Sequence, residues 1–444
     1  PSLDLFRRRY VEDDVARALG AVAGLGDEAE DLARRLSEAA EGYGRVERAV
    51  TGLARSLMAQ AAAGTGALLA SPLGLVASLA GVADILPGAA ALAALFAVLR
   101  AARGVRRGPA GPGVAAREAP DTASRSWPVG KLICSVEFVA LLRLAVSSVD
   151  DFMLGAAHLP RPIAALLDDD ATGLFGLAGS ARAFLGLPAV LGLLRETPVR
   201  VTKTETMTAL PPRGFADLAR RVPAAGPGRP QVRVEEYPTA AGGSRWIVYV
   251  GGTVDMAVRG GKEPFDNTSN VHGVAQSGAA AVRTTVEAMR ESGVGVSDPV
   301  TLVGYSQGGL AVNGVARVGG YRDVGVVTFG SPTGGVVLPD VKANIAVEIA
   351  EDPIPALGGE PAGARQGGLS RTVVTRRIYG SAPPPAGETL PAHDLERYRE
   401  TAEVMDRSGD PRLVALIDRV AATTGATGSA ARGSLWRGER VAAG

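Results

Sequence analysis

The stretch PVTLVGYSQGG, residues 299–309, decides how the rest of this chain is read. A short β-branched run ends in G-x-S-x-G, with Ser306 at its centre, and leads directly into LAVNGVARV, which has helical spacing. Strand, sharp turn and helix around one serine is the context that gives the motif meaning. Its glycines permit a tight turn and a close helix-on-strand contact. The serine hydroxyl is then presented at the carboxyl end of a sheet. The plainer alternative is a polar turn with incidental glycines, in a chain with 58 of them.

Outward from this stretch, strands alternate with helices. Residues 199–206 (VRVTKTET) alternate as a strand does, and PPRGFADLARRV reads as a short helix with proline near its start. Residues 232–237 and 246–250 are strands joined by a loop containing PTAAGGS, a hairpin signal. A helix over about 270–291 follows, then the strand into Ser306 and the helix after it. Further strands are expected at 324–329, 345–349 and 373–378, with helices at about 394–406 and 411–422. The pattern predicts an α/β fold: an open, mostly parallel sheet with helices on both faces. The tail from Gly425, GATGSAARGSLWRGERVAAG, reads as disordered.

A serine hydroxyl is a weak nucleophile until a base takes its proton, and the base needs an acid to orient it. In open α/β sheets such groups lie past the carboxyl ends of strands. The strand NIAVEIA runs into Glu351-Asp352-Pro353, and the last strand leads through a Pro-rich loop to His393 at the head of AHDLERY. Ser306, Asp352 and His393 therefore each follow a strand, in the order Ser, Asp, His. Asp352 also fits a simple turn before Pro353, and His393 a helix-cap neighbour. Glu351 is the rival acid and Glu348 a weaker one, since alternation turns it off the sheet face. His272, in SNVHGVAQ, is the rival base, and His158 reads as a helix-terminal cap. An oxyanion site needs two backbone N–H groups. One is that of Gln307; the other falls in Gly251-Gly252-Thr253, with Thr253 favoured over Gly252. DNTSN, residues 266–270, lies on the same rim, where Asp266 or Asn270 can fix the loop by side-chain hydrogen bonds.

From about residue 199 to 422 the chain resembles an α/β-hydrolase. GYSQGG, TFGSP, and EDPIP followed by a histidine are similar to the serine lipase and esterase branches, including class 3-type lipases and the hydrolase domains attached to mycobacterial PE and PPE proteins. VYVGGT followed by DNTSN resembles uncharacterised actinobacterial hydrolases. The resemblance implies hydrolysis of a small-molecule or lipid carboxylic ester through an acyl-enzyme, without metal or cofactor. A thioesterase or acyltransferase fits the same motifs.

The N-terminal half has a different character. Residues from about 10 to 60 read as helix, with Leu32, Leu36, Tyr43, Val46, Val50, Leu53 and Leu57 forming one apolar stripe that seeks a partner helix. Residues 57–83 carry no charge and have the length of a bilayer span, but are rich in Ala and Gly and broken by Pro72. A buried helical hairpin and a membrane-facing segment both fit. The expected divisions are a helical region over 1–103, a linker or mobile loop over 104–127, helices over 128–196 that serve as lid or interface, the catalytic domain over 197–424, and the tail over 425–444. YGRVE, residues 43–47, resembles the Y-x-x-x-D/E signal of type VII secretion substrates, which implies a cell-envelope or secreted location; a core tyrosine beside a solvated glutamate accounts for the same residues. A second reading makes the helical half a membrane-associated or partner-binding module beside a vestigial hydrolase domain.

Composition narrows the field. At 444 residues, with 46% hydrophobic and 21% charged, two or more units with a full core are expected. A net charge of +1 gives no field for nucleic acid or an anionic membrane. One cysteine, Cys134, excludes an intrachain disulfide and a thiol metal cluster, and reads as a buried apolar residue. The charged start PSLDLFRRRYVEDDVARA has no apolar core, so no cleavable signal peptide is expected there, although a start at Pro1 leaves room for a missing leader.

Overall fold

The β-branched runs of the C-terminal half pair into one eight-stranded sheet. The structure is a computed structural model that describes residues 2–69, 133–159, 176–190, 194–239, 243–256, 260–338, 341–361, 371–380, 382, 384–385, 388, 390–424 and 431–441. The strands are β1 (Val199–Ala209), β2 (Val232–Pro238), β3 (Ser244–Val250), β4 (Pro299–Tyr305), β5 (Asp323–Phe329), β6 (Ala343–Ile349), β7 (Thr372–Arg376) and β8 (Ala431–Arg440). Their order is β1-β8-β2-β3-β4-β5-β6-β7. From β3 to β7 each neighbouring pair is parallel; β2–β3, β2–β8 and β1–β8 are antiparallel. The result is a mixed, mostly parallel sheet with flanking helices.

The described α-helices of six residues or more are α1 (Ser2–Leu69), α2 (Val136–Ser147), α3 (Val149–Ala156), α4 (Leu177–Val190), α5 (Phe215–Arg220), α6 (Asn267–Val274), α7 (Ala280–Ser292), α8 (Gln307–Val318), α9 (Leu395–Met405) and α10 (Pro411–Thr424). Alternate strand residues feed two cores, one on each face of the sheet. Tyr249, Val303, Phe329 and Val347 pack with Phe215 and Leu218 of α5, Tyr398 of α9 and Leu416 of α10. Val248, Leu302 and Val326 pack with Met289 of α7, Val312 of α8 and Trp436 of β8. The helix expected over 270–291 is two helices, because Gln276 and Gly278 take left-handed φ values of 53° and 81° between α6 and α7.

The tail is the main correction. Residues 431–440 form a strand inside the sheet, between β1 and β2. The residues that turn inward are Ser434, Trp436, Gly438 and Arg440, so polar residues occupy positions where apolar ones would have displayed the alternation. Trp436 is 4% exposed, and its ring carries the Lys203 ammonium 4.9 Å from the centroid.

The chain forms two compact units, 1–57 and 58–444. In the first, Leu32, Leu36 and Leu53 stand more than half exposed on α1. Among the described residues no helix is long and apolar enough to cross a membrane. The apolar run beyond residue 69 and the linker expected over 104–127 lie outside the described residues. In the second unit α2 is fastened to β6 by a partly buried ion pair, Arg143 Nη2 to Glu348 Oε2 at 2.6 Å, and to the loop after β6 by the Glu360 N–H donating to Ser147 Oγ at 2.8 Å.

Removing the Trp436 ring leaves a cavity at the centre of one core. Trp436→Ala lowers the free energy of unfolding by about 3–5 kcal/mol. Urea denaturation followed by circular dichroism measures this; an unchanged midpoint would show that β8 is not coupled to the sheet.

Candidate functional site

The turn after β4 sets the geometry. Ser306 lies between β4 and α8 with φ 54° and ψ −123°, a left-handed φ that only a well-supported side-chain-bearing residue keeps. Its N–H donates to Phe329 O on β5 at 2.9 Å, and its carbonyl accepts from Gly309 N at 3.0 Å. The flanking glycines are demanded by close approach. A Cβ on Gly304 would fall 2.4 Å from Gly308 O, and one on Gly308 would fall 2.2 Å from Val250 O. The turn is therefore wedged between its own first helical turn and the end of β3.

The three residues expected to act together are brought together. Ser306 Oγ lies 2.8 Å from His393 Nε2, and His393 Nδ1 lies 2.7 Å from Asp352 Oδ2. With Nδ1–H donating to the carboxylate, Nε2 is left to accept the serine proton. Asp352 leaves β6 fully buried and caps the turn Pro353–Ala356, its Oδ1 accepting from Ile354 N at 2.9 Å. His393 ends the short 3₁₀ turn Pro391–His393, just before α9.

Two tyrosines complete the arrangement, and the sequence reading did not single them out. Tyr398 donates its hydroxyl to Asp352 Oδ2 at 2.5 Å. Tyr305 stacks on the His393 ring at 5.2 Å between centroids and 21° between planes, and donates its hydroxyl to His393 O. Burial, with the Asp352 charge second, pushes both phenols above their usual range, so both remain neutral donors. The available signal was adjacency: Tyr305 precedes the serine, and Tyr398 follows the histidine by just over one helical turn.

The loop after β3 borders the serine. A Cβ on Gly252 would sit 3.2 Å from Ser306 Cβ. Thr253 Oγ1 accepts from Asn270 Nδ2 at 3.2 Å, which ties this loop to α6 as expected for Asn270. Gln307 heads α8, where a first-turn N–H has no intrahelical acceptor. Its side-chain Nε2 donates to Asp266 O at 2.7 Å. Asp266 caps α6 by accepting from Ser269 N at 2.9 Å, and its carboxylate takes a two-pronged contact from Arg440 of β8, at 2.7 and 2.9 Å. Arg440 also reaches Glu196 at 3.2 Å. It was hidden in the stretch read as a disordered tail.

The rivals lie elsewhere. Glu351 accepts from Ile378 N at 3.2 Å and Tyr379 N at 3.4 Å, which fastens the exit of β7. Glu348 is taken by Arg143. His272 donates Nε2–H to Leu194 O at 2.8 Å and accepts at Nδ1 from Ser277 Oγ at 2.9 Å, so both ring nitrogens are in use. His158 takes φ 52° just past the end of α3, where its N–H donates to Gly155 O at 2.9 Å. The Cys134 thiol is buried, and burial pushes its pKa up. Among the described residues, no group of three or more His, Cys, Asp or Glu side chains is placed to share a metal ion.

Comparison with protein-family models, with curated proteins and with solved structures gave no match.

The buried phenols set an alkaline limit. Tyr237 and Tyr249 are likewise raised, by burial first and by Glu235. All four have folded values above the unfolded value of about 10. Their contribution to stability is whole below about pH 10 and is lost as pH rises toward the folded values. In an ultraviolet phenolate titration these four of the eight tyrosines ionise only as the domain unfolds. Reversible ionisation of all eight near pH 10 with the fold intact would refute this.

Proposed function

We propose that the chain is a serine hydrolase of carboxylic esters, built on an α/β-hydrolase fold. One observation carries the reading: the continuous relay from Ser306 Oγ through His393 to buried Asp352, with contacts of 2.8 and 2.7 Å, on a strained strand-to-helix turn. The chemistry follows from these positions. Ser306 Oγ bonds to the ester carbonyl carbon while its proton passes to His393 Nε2. The carbonyl electron pair moves onto oxygen, where the N–H groups of Gln307 and Thr253 face the developing charge. Collapse breaks the bond to the alcohol oxygen, which leaves with the proton from His393. Water then repeats the sequence on the acyl-Ser306 and releases the acid. Asp352 holds His393 in the tautomer that accepts at Nε2 and stabilises the imidazolium. Tyr398 and the Ile354 N–H keep Asp352 oriented. The reaction is complete with the chain's own residues and water.

Ser306→Ala lowers kcat/KM for a p-nitrophenyl ester by roughly 10³-fold or more, and Asp352→Asn lowers kcat by a factor on the order of 10⁴. A fluorophosphonate probe labels Ser306 in the native chain and not in Ser306→Ala. Folded native protein that takes no label would sink the assignment. It would move the reading to a helical binding module, for which the exposed Leu32, Leu36 and Leu53 of α1 are the relevant surface.

A further inference from the structure

A cavity of about 100 Å³ lies between α6, the start of α7 and α8, and none of Ser306, Asp352 and His393 lines it. Val282, Leu310 and Val336 supply apolar wall, while Asn313 and Arg317 add polar groups and His272 also lines it. His272 contributes no ring nitrogen, since both are spent on Leu194 and Ser277.

Arg317 stands in the wall of this cavity, and Arg182 lies close to Arg317, outside the lining. Arg182, on α4, donates Nε–H to Ala275 O at 2.8 Å, and Arg317, on α8, donates from Nη2 to Gln276 O at 3.1 Å. Two guanidinium groups thus hang on successive carbonyls at the end of α6. A guanidinium has five N–H donors, so most remain available on each. Several arginines that are partly or wholly buried meet carboxylates, Arg440 with Asp266, Arg221 with Glu235 and Arg143 with Glu348, while buried Arg371 is held by Thr333. Among the described residues neither Arg182 nor Arg317 meets a carboxylate. Burial, and then the Arg182 charge, push the Arg317 guanidinium below its usual range, which an arriving anion would reverse.

We infer that this cavity binds a small amphipathic anion, a carboxylate on a short apolar chain. The carboxylate meets the donors of Arg317 and Arg182, a planar fork suited to two-point contact. The chain lies against Val282, Leu310 and Val336. Apolar walls with a few convergent polar groups are the usual composition of a small-molecule pocket. The inference does not depend on the chemistry assigned to Ser306.

Calorimetric titration of the full Ser306→Ala chain with hexanoate tests it. Hexanoate binds saturably. 1-Hexanol, which lacks the charge, and inorganic phosphate, which lacks the chain, each bind at least about tenfold more weakly. Arg317→Gln and Arg182→Gln each weaken hexanoate by about tenfold or more, with native circular dichroism. If Arg317→Gln fails to fold, Arg182→Gln decides alone, because that side chain sits on the surface of α4. Three results would overturn the inference: no saturable binding, hexanoate binding unchanged by the arginine substitution, or phosphate binding as tightly as hexanoate. Hexanoate lodged beside residue 306 instead would give the second result.

Discussion

The left-handed backbone of Ser306 is the constraint on which the rest of the site depends. A side-chain-bearing residue there costs roughly 1–3 kcal/mol and persists only where its surroundings leave no alternative. Those surroundings come from both faces of the sheet. Leu302 and Val303, just before the turn, are fully buried in opposite cores, so β4 cannot shift to relax it. Phe329 O holds the serine N–H from one side, and the end of β3 crowds Gly308 from the other. The strain is paid by packing that would form in any case, and it aims Oγ at His393 rather than along the sheet.

Two buried carboxylates flank that serine, and each is satisfied by a different means. Among the described residues no guanidinium is paired with Asp352; its contacts are an imidazole N–H, a phenol and a backbone N–H. An unpaired buried carboxylate is tolerable only with its oxygens so occupied. Asp266 is the opposite case, locked by Arg440 from β8 and by the first turn of α6. It serves as a fixed post, and Gln307 and the 251–256 loop are moored to it and to its helix.

The parallel half of the sheet and the Ser306, Asp352 and His393 positions were legible because their signals are local. A run of β-branched residues, a turn and a helix all fall within a short window, and Ser306 stands at the junction. The rest is non-local. β8 shows no apolar alternation because its inward positions are a serine, a tryptophan, a glycine and an arginine, and Asp266, Glu196 and the Glu263 carbonyl, far away in the chain, make that arginine acceptable inside. Nothing in the sequence separates Tyr398 from any other aromatic on a helix; its contact with Asp352 depends on where α9 is laid across β6. The break between α6 and α7 turned on Gln276 adopting a left-handed φ, which its residue type gives little reason to expect.

The position of β8 has a consequence for the order in which the domain assembles. The strand that joins β1 to β2 is separated from them by the whole parallel half of the sheet. During vectorial synthesis, β3 to β7 can pair as they emerge, while β1 waits without a partner and with an unpaired backbone edge. Contacts of such long sequence separation slow folding and prolong the exposure of that edge. The charged, solvent-exposed middle of β1, with Lys203 and Glu205, acts during this interval as a guard against pairing with the wrong strand.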